Sequence, residues 1–128
     1  MLKATVFLVA TFAFCSTANA QAMPLNQFLE KASALEKKGV MAVFSSDAKQ
    51  LKSEMAGSAK GMRAERLQAQ AQGKKPAYCP PAKQAGLNNV EILAHFRAIP
   101  AAQRSRMSTK DAFRSLLIKK YPCPASGV

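Results

Sequence analysis

The chain has 128 residues, with 19 Lys and Arg against 7 Asp and Glu and a formal net charge of +12 at pH 7, and it contains no Trp. That length fits a single domain with a small hydrophobic core. The seven acids stand singly along the sequence, which excludes a paired-carboxylate active site and a calcium-binding loop. The excess of cations favours anionic partners.

The N-terminal residues have the pattern of a secretory signal peptide. Residues 1–3 form a short basic start, residues 4–14 are apolar, and Ala18-Asn19-Ala20 is an A-x-A cleavage sequence, with Ala20-Gln21-Ala22 as a second register. The apolar run is about half the length that a membrane-spanning helix needs, so we expect no transmembrane anchor.

We therefore predict an exported, periplasmic protein with a cleaved signal peptide at 1–20 or 1–22 and one domain at 23–128. Cys15 belongs to the signal, because it follows Phe14 where lipoprotein processing requires a small residue. In that compartment the available anions are lipid headgroups, wall polymers and acidic proteins, so we expect no nucleic-acid partner.

The first half of this domain contains two segments with helical periodicity. An apolar stripe repeats every 3.6 residues between Leu25 and Leu35, with Pro24 suited to the helix start and Gly39 to its end. We interpret the apolar connection 40–44 as a further helical turn or a buried link. The residues Ser45, Ser46 and Asp47 then offer N-caps for a long helix.

This long helix runs to about Gln72 and consists mainly of strong helix formers. Gly57 and Gly61 indicate a closely packed neighbour or a bend, because glycine inside an exposed helix is otherwise unfavourable. Ser46 and Lys49 match the S-x-x-K pattern of penicillin-recognising enzymes, but the chain lacks their length and their K-T-G element, so we interpret Ser46 as a helix cap. Its predicted apolar face consists of Leu51, Met55, Ala59 and Met62.

Two further helices follow a proline-bearing loop at 77–86. Asn88 with Glu91 resembles a capping box and opens a helix that stops before Pro100, and Ser108 with Asp111 caps the last one. Their apolar positions are Val90, Leu93, Ala94 and Phe96 in the first, and Phe113, Leu116, Leu117 and Tyr121 in the second. The predicted fold class is all-α, a small bundle of about four helices.

After removal of the signal, the cysteines that remain are Cys79 and Cys123. An even pair in an oxidising compartment predicts a disulfide. The two thiols and His95 lack the ligand spacing of a metal site, and a catalytic Cys–His pair is disfavoured because the second thiol is there to oxidise the first. We therefore expect no cofactor, no metal and no enzymatic activity, and interpret His95 as a partly exposed helix residue.

Several positions in the C-terminal half form a further pattern. They are Cys79-Pro80-Pro81, then Val90, Leu93, Phe96, Ile99 and Pro100, then Ser108, Asp111, Ala112, Phe113, Leu116 and Leu117, and finally Tyr121-Pro122-Cys123. From Cys79 to Cys123 this arrangement resembles the Rap/Tai family of small periplasmic helical proteins, which give immunity to type VI secreted peptidoglycan amidases. The first half departs from the family pattern, since an aromatic residue and a further cysteine that members usually carry there are absent.

The resemblance implies the helical fold, the disulfide and a non-enzymatic role in which the protein binds the active-site cleft of a toxin. A basic surface would suit an acidic effector as the partner. The candidate contacts are Arg63, Arg66, Lys74, Lys75, Arg104 and Arg106.

Two other functions stay open at this point. One is a periplasmic chaperone of the HdeA type, although seven acids give an acid-activated switch few groups to titrate. The other is a cationic protein with no cognate toxin that stays on an anionic envelope surface by its charge.

Overall fold

The computed structural model describes residues 22–83 and 86–125, and the predicted signal peptide lies almost wholly outside these residues. Within them the fold is all-α, as predicted, and one isolated antiparallel bridge joins Pro24 to Ser108. A 3-10 helix, Gly39–Phe44, connects the first two of five α-helices. The α-helices are α1 (Leu25–Lys38), α2 (Ser46–Ala71), α3 (Asn89–Ala98), α4 (Ala101–Arg104) and α5 (Thr109–Lys120). None of the helices in the described part of the chain is long and apolar enough to cross a membrane.

Side-chain caps start three of these helices. The Asn88 Oδ1 atom accepts a 2.8 Å hydrogen bond from the Glu91 N–H, and the Ser108 Oγ atom accepts one of 3.0 Å from Asp111, which confirms both predicted caps. The Glu91 carboxylate does not close the box, because it binds Lys120 on α5 instead.

The cap of α2 is Ser45, and the prediction that Ser46 caps this helix is wrong. Ser45 has an extended backbone, and its Oγ atom accepts a 3.1 Å hydrogen bond from the Ala48 N–H while donating one of 2.7 Å to the Ala42 carbonyl. One hydroxyl group therefore ends the 3-10 helix and begins α2, which leaves Ser46 as the first helical residue.

The core lies where α2 packs between α1 and α5, with α3 against both α1 and α5. Phe96 is fully buried and meets the ring of Phe28 edge to face at 5.5 Å between centroids. The apolar stripes predicted for α1 and α5 are confirmed. Their buried members are Leu25, Phe28, Leu29, Ala32, Phe113, Leu116 and Leu117, with Leu35 and Tyr121 partly buried against them.

Three positions in the predicted core are wrong, and one of them is Ala94 on α3, which is exposed. On α2, Ala59 is exposed, whereas its neighbour Ser58 is buried, as are Leu51 and Met62. On α3, Val90 is 78% exposed, because Ile92, Leu93 and Phe96 supply the face that meets α1 and α5.

The glycines of α2 differ from each other in their surroundings. A Cβ atom at Gly57 would meet nothing within 4 Å, so the predicted close packing is absent there. A Cβ atom at Gly61 would lie 3.3 Å from the end of the Lys110 side chain on α5. The close approach predicted for these glycines is therefore found only at Gly61.

The apolar connection 40–44 forms a helical turn, but the alternative of a buried link is wrong. Its four large side chains, Val40, Met41, Val43 and Phe44, are each between 59% and 86% exposed. The helices α1 and α2 pack against each other beyond this turn. Neither helix covers the side chains of the connection.

The predicted disulfide joins Cys79 to Cys123 across a sequence separation of 44 residues. Next to it the Cys79 N–H donates a 2.8 Å hydrogen bond to the Tyr121 carbonyl, which holds the loop after α2 against the end of α5. Loop closure of this length stabilises the folded chain by about 4 kcal/mol in the chain-entropy model.

Candidate binding surfaces

The distribution of charge on the molecule depends on which of its few acids form ion pairs. Five of the seven acids form ion pairs with Lys or Arg, and a sixth, Glu54, accepts a hydrogen bond of 2.8 Å from the Met23 N–H. Most cations in the described part of the chain are left without an ion pair. The surface therefore carries many cations that have no carboxylate partner within the described residues, because most of the acids already bind other groups.

Glu65 is the best connected of these acids. Its carboxylate accepts hydrogen bonds from Lys110 and from Arg114, the latter at 2.8 Å, and so joins α2 to α5. The hydrogen bond from Lys110, followed by that from Arg114, lowers the pKa of Glu65 below its ordinary value. In the same way the hydrogen bond from Lys31 lowers the pKa of Asp47.

The six predicted basic contacts are not one surface. Arg63 and Arg66 lie together on α2, while Lys74 and Lys75 are exposed just beyond its end, after the left-handed turn at Gly73. Arg63 and Arg66 line the same groove, whereas Lys74 and Lys75 are not among its lining residues.

The last two predicted contacts lie elsewhere and differ in kind. Arg104 closes the end of α3, because its guanidinium donates to the carbonyls of Ile99 at 2.8 Å and Arg97 at 2.6 Å. Arg106 is exposed beside Glu54 and Asp111 in another concavity. The structure therefore brings Arg63 and Arg66 together. Arg104 and Arg106 lie apart from that pair.

Arg63 and Arg66 line a groove of about 490 Å³ between α2, α5 and the loop that carries Cys79. We call it the arginine groove. The loop contributes Tyr78, Pro80 and Pro81, and the floor is apolar. The floor residues are Leu87, Phe113, Leu117 and Tyr121.

The two arginines differ in the interactions that their guanidinium groups already make. The Arg66 guanidinium lies 5.9 Å from the centre of the Tyr78 ring, and its Nε atom is buried with no hydrogen-bond partner among the described residues. Arg63 is exposed and makes no ion pair within the described ranges. A carboxylate in the groove would find guanidinium donors beside an apolar wall.

Sequence reasoning identified the two arginines but missed the wall against which they stand. Tyr78 is 5% exposed and belongs to the core, although it lies in a loop. The signal for it was local: an aromatic residue directly before Cys79 and two prolines has little freedom once the disulfide forms. Sequence reasoning also missed an apolar groove of about 390 Å³ between α1, α2 and α3.

His95 has a structural role. Its Nε2 atom lies 2.8 Å from the Ser115 Oγ atom, and that hydroxyl donates to the Ala112 carbonyl, so the imidazole is the donor in the first bond. Burial, and then the charge of Lys119, lowers the pKa of His95. Within residues 22–83 and 86–125 no cluster of three His, Cys, Asp or Glu side chains could hold a metal ion.

Comparison of the chain with protein-family models, with curated proteins and with solved structures found no match.

Proposed function

We propose that this protein is an exported, non-enzymatic binding protein of the immunity type, which blocks an acidic peptidoglycan amidase by occupying its substrate cleft. The observation that carries the proposal is the arginine groove, where the guanidinium groups of Arg63 and Arg66 form no ion pair with any described residue. Guanidinium groups that no internal carboxylate engages are available to bind a carboxylate of a partner.

The chemistry of the groove suits an extended acidic segment on the rim of such a cleft. A carboxylate of the partner would bind the guanidinium groups through charge-assisted hydrogen bonds, which are stronger than those between neutral groups. Apolar atoms next to that carboxylate would pack on Pro80 and Pro81. Burial of this segment against the groove would make a small number of contacts count in affinity.

The rigidity of the groove supports the same function. Its loop wall is attached to α5 by the disulfide and by the hydrogen bond between Cys79 and Tyr121, and α2 is attached to α5 through Glu65. A binding surface that is held in shape before the partner arrives loses little conformational entropy on association. No side chain of the groove needs to act chemically.

The test starts with the gene next to the one for this protein, which should encode a small amidase with an active-site cysteine and histidine. That amidase is directed to the periplasm with and without the protein, and lysis of the cells is followed. We expect the protein to prevent lysis. An amidase that lyses the cells equally in both cases, or the absence of such a gene, would contradict the immunity function.

The role of the groove is tested by the double variant Arg63→Ala with Arg66→Ala. Its affinity for the purified amidase should fall at least about thirtyfold, as expected for a hot spot at the centre of an interface. The matched control removes two exposed lysines near the start of α2, Lys49→Ala with Lys52→Ala, and should bind as the unaltered protein does. Equal losses in both variants would indicate attraction by net charge rather than by the groove.

Export has a separate test. The intact mass of protein recovered from the periplasm gives the N-terminus and should agree with removal of residues 1–20 or 1–22, with two hydrogens missing for the disulfide. A mass that includes residue 1 would contradict the signal-peptide prediction. A low-pH client-aggregation assay distinguishes the chaperone function, since an immunity protein should give no protection there.

A further inference from the structure

The most exposed apolar surface in the described part of the chain is the 3-10 helix between α1 and α2. We use the term apolar apex for its four large side chains, Val40, Met41, Val43 and Phe44. Each is more than half exposed, and they lie within five consecutive positions. Exposed hydrophobic residues that occur singly, such as Leu67, are ordinary, but a contiguous group marks an interaction site.

The geometry of the 3-10 helix keeps these side chains together. With three residues per turn, residues three positions apart lie one above the other, so Val40 stands above Val43 and Met41 above Phe44. The apex is thus two short apolar columns at the turn between two helices. No side chain in it carries a hydrogen-bond donor or acceptor.

Both ends of the apex make backbone hydrogen bonds within the chain. The Gly39 N–H donates to the Glu36 carbonyl, and the Ala42 carbonyl accepts from both the N–H and the hydroxyl of Ser45. An apolar medium penalises every backbone group that lacks a partner. The apex can enter such a medium with the hydrogen bonds at both of its ends already made.

Cations surround the apex on both sides along the chain. The lysines that precede and follow it, in order, are Lys37, Lys38, Lys49 and Lys52, all of them exposed. The nearest acids are neutralised internally, since Glu36 pairs with Arg97 and Asp47 with Lys31, both at 2.7 Å. The apolar columns are therefore flanked along the chain by four exposed lysines that form no ion pair with any described residue.

We propose that the apolar apex inserts into the interface of a lipid bilayer that carries anionic headgroups, with the surrounding lysines bound to those headgroups. An apolar surface flanked by lysines is how amphipathic elements hold to the boundary between headgroups and acyl chains. The four flanking lysines favour an anionic bilayer over a neutral one.

A bilayer fits the apex better than the other occupants do. A second copy of the chain would bring four lysines against four lysines around the same contact. A protein cleft is recognised through directional groups and a matched shape, and the apex side chains have no polar atom to supply direction. A bilayer requires neither, because its interior adapts to any apolar shape.

The apex and the arginine groove are separate sites. Counted along α2 at about 1.5 Å per residue, Arg63 lies about 26 Å from Ser46, where the helix begins next to the apex. Membrane binding through the apex would therefore leave the groove free for a partner. This inference stands independently of the proposed function, and either one can fail alone.

The test is co-sedimentation of the purified protein with vesicles of phosphatidylcholine alone or mixed with phosphatidylglycerol. Binding should require phosphatidylglycerol and weaken with added salt. The variant Met41→Ser with Phe44→Ser should reduce the affinity at least about tenfold, and Lys37→Gln with Lys38→Gln about thirtyfold, since each lysine near an anionic surface contributes independently. All variants carry the same N-terminus, so any binding through residues 4–14 cancels in the comparison.

The matched control is Lys74→Gln with Lys75→Gln, which removes the same charge at the other end of α2 and should bind several times more tightly than the apex lysine variant. Binding that is unchanged in Met41→Ser with Phe44→Ser, or no binding to the anionic vesicles at all, would overturn the proposal. So would self-association, or binding of a protein partner, that depends on the apex while vesicle binding does not.

A second measurement uses the absence of Trp from the chain. The Phe44→Trp variant has a single fluorophore in the apex, and its emission should shift to the blue and be quenched by brominated lipids when anionic vesicles are added. The control Val90→Trp places the fluorophore at another highly exposed apolar position and should show neither effect. Equal responses from the two variants would overturn the assignment of the insertion to the apex.

Discussion

The hydroxyl of Thr109 donates a 2.8 Å hydrogen bond to the main-chain carbonyl of Met23, 86 residues earlier in the sequence. The same carbonyl accepts a 2.7 Å bond from the Thr109 N–H, and the Leu25 N–H donates to the Met107 carbonyl at 2.9 Å. The first turn of α5 thus binds the segment that leads into α1. Thr109 is fully buried, so its hydroxyl has no water to replace this partner.

We expect Thr109→Val to reduce the free energy of unfolding by about 1 kcal/mol, the usual net value of a buried hydrogen bond. Valine has nearly the same shape, and the Met23 carbonyl keeps the bond from the backbone. Urea denaturation of both proteins measures the difference. A control, Ser105→Ala, changes an exposed hydroxyl and should have no measurable effect. An unchanged midpoint in Thr109→Val would contradict the assigned role.

The disulfide should supply a large share of the stability of this small domain. Replacing both Cys79 and Cys123 by Ala is expected to reduce the free energy of unfolding by about 4 kcal/mol, because the unfolded chain regains the freedom of a long loop. Denaturation in the presence of a reductant should give the same loss for the unaltered protein and no further loss for the double variant. A reductant effect that persists in the double variant would show that another bond is responsible.

The ion pairs of Glu65 predict a loss of stability in acid. Its folded-state pKa lies below its ordinary value of 4.5, so its contribution is fully present above that pH and disappears as the pH falls through the lowered pKa. We expect Glu65→Gln to reduce stability by about 1 kcal/mol at pH 7, a value limited by the exposure of the pair, and by less as the pH is lowered.

Thermal unfolding at a series of pH values measures this difference. Glu30→Gln is the matched control, because Glu30 is exposed and forms no ion pair with any residue of the described ranges. A difference between Glu65→Gln and the unaltered protein that stays constant from pH 7 to strong acid would contradict the role of the lowered pKa.

The surroundings of Gly57 predict a stabilising substitution. Gly57→Ala should increase the free energy of unfolding by about 0.5 to 1 kcal/mol, because alanine restricts the unfolded chain and a Cβ atom there meets nothing within 4 Å. Gly61→Ala should gain less, since its Cβ atom would displace the Lys110 side chain from its pair with Glu65. Denaturant titration of both variants tests the order, and a larger gain at Gly61 would contradict it.

Several features of the fold were accessible from local sequence. The caps at Asn88 and Ser108 were predictable because a capping side chain acts within its own first turn. The Cys79–Cys123 disulfide followed from pairing the two cysteines that remain after the predicted signal is removed. The stripes of α1 and α5 have buried faces that match a period of 3.6 residues.

The features that local sequence did not decide depend on which helix passes over which position. Ser58 is buried and Ala59 is exposed because the face of α2 that packs against its neighbours includes position 58 and not position 59. The residue types alone did not indicate this orientation. Val90 and the apex residues are as apolar as core residues, yet no helix in the described part of the chain covers them. Periodicity identifies an apolar face, but it does not say whether anything packs against it.

The binding surfaces divide in the same way. The sequence by itself determined the excess of cations, the positions of Arg63 and Arg66, and the cysteines that fix the loop after α2. Only the tertiary structure decided which cations remain free, because five of the seven acids pair with specific lysines and arginines, several of them on other helices. The physical reason is that charge is a property of composition, whereas its compensation depends on distances of a few ångströms between residues far apart in the chain.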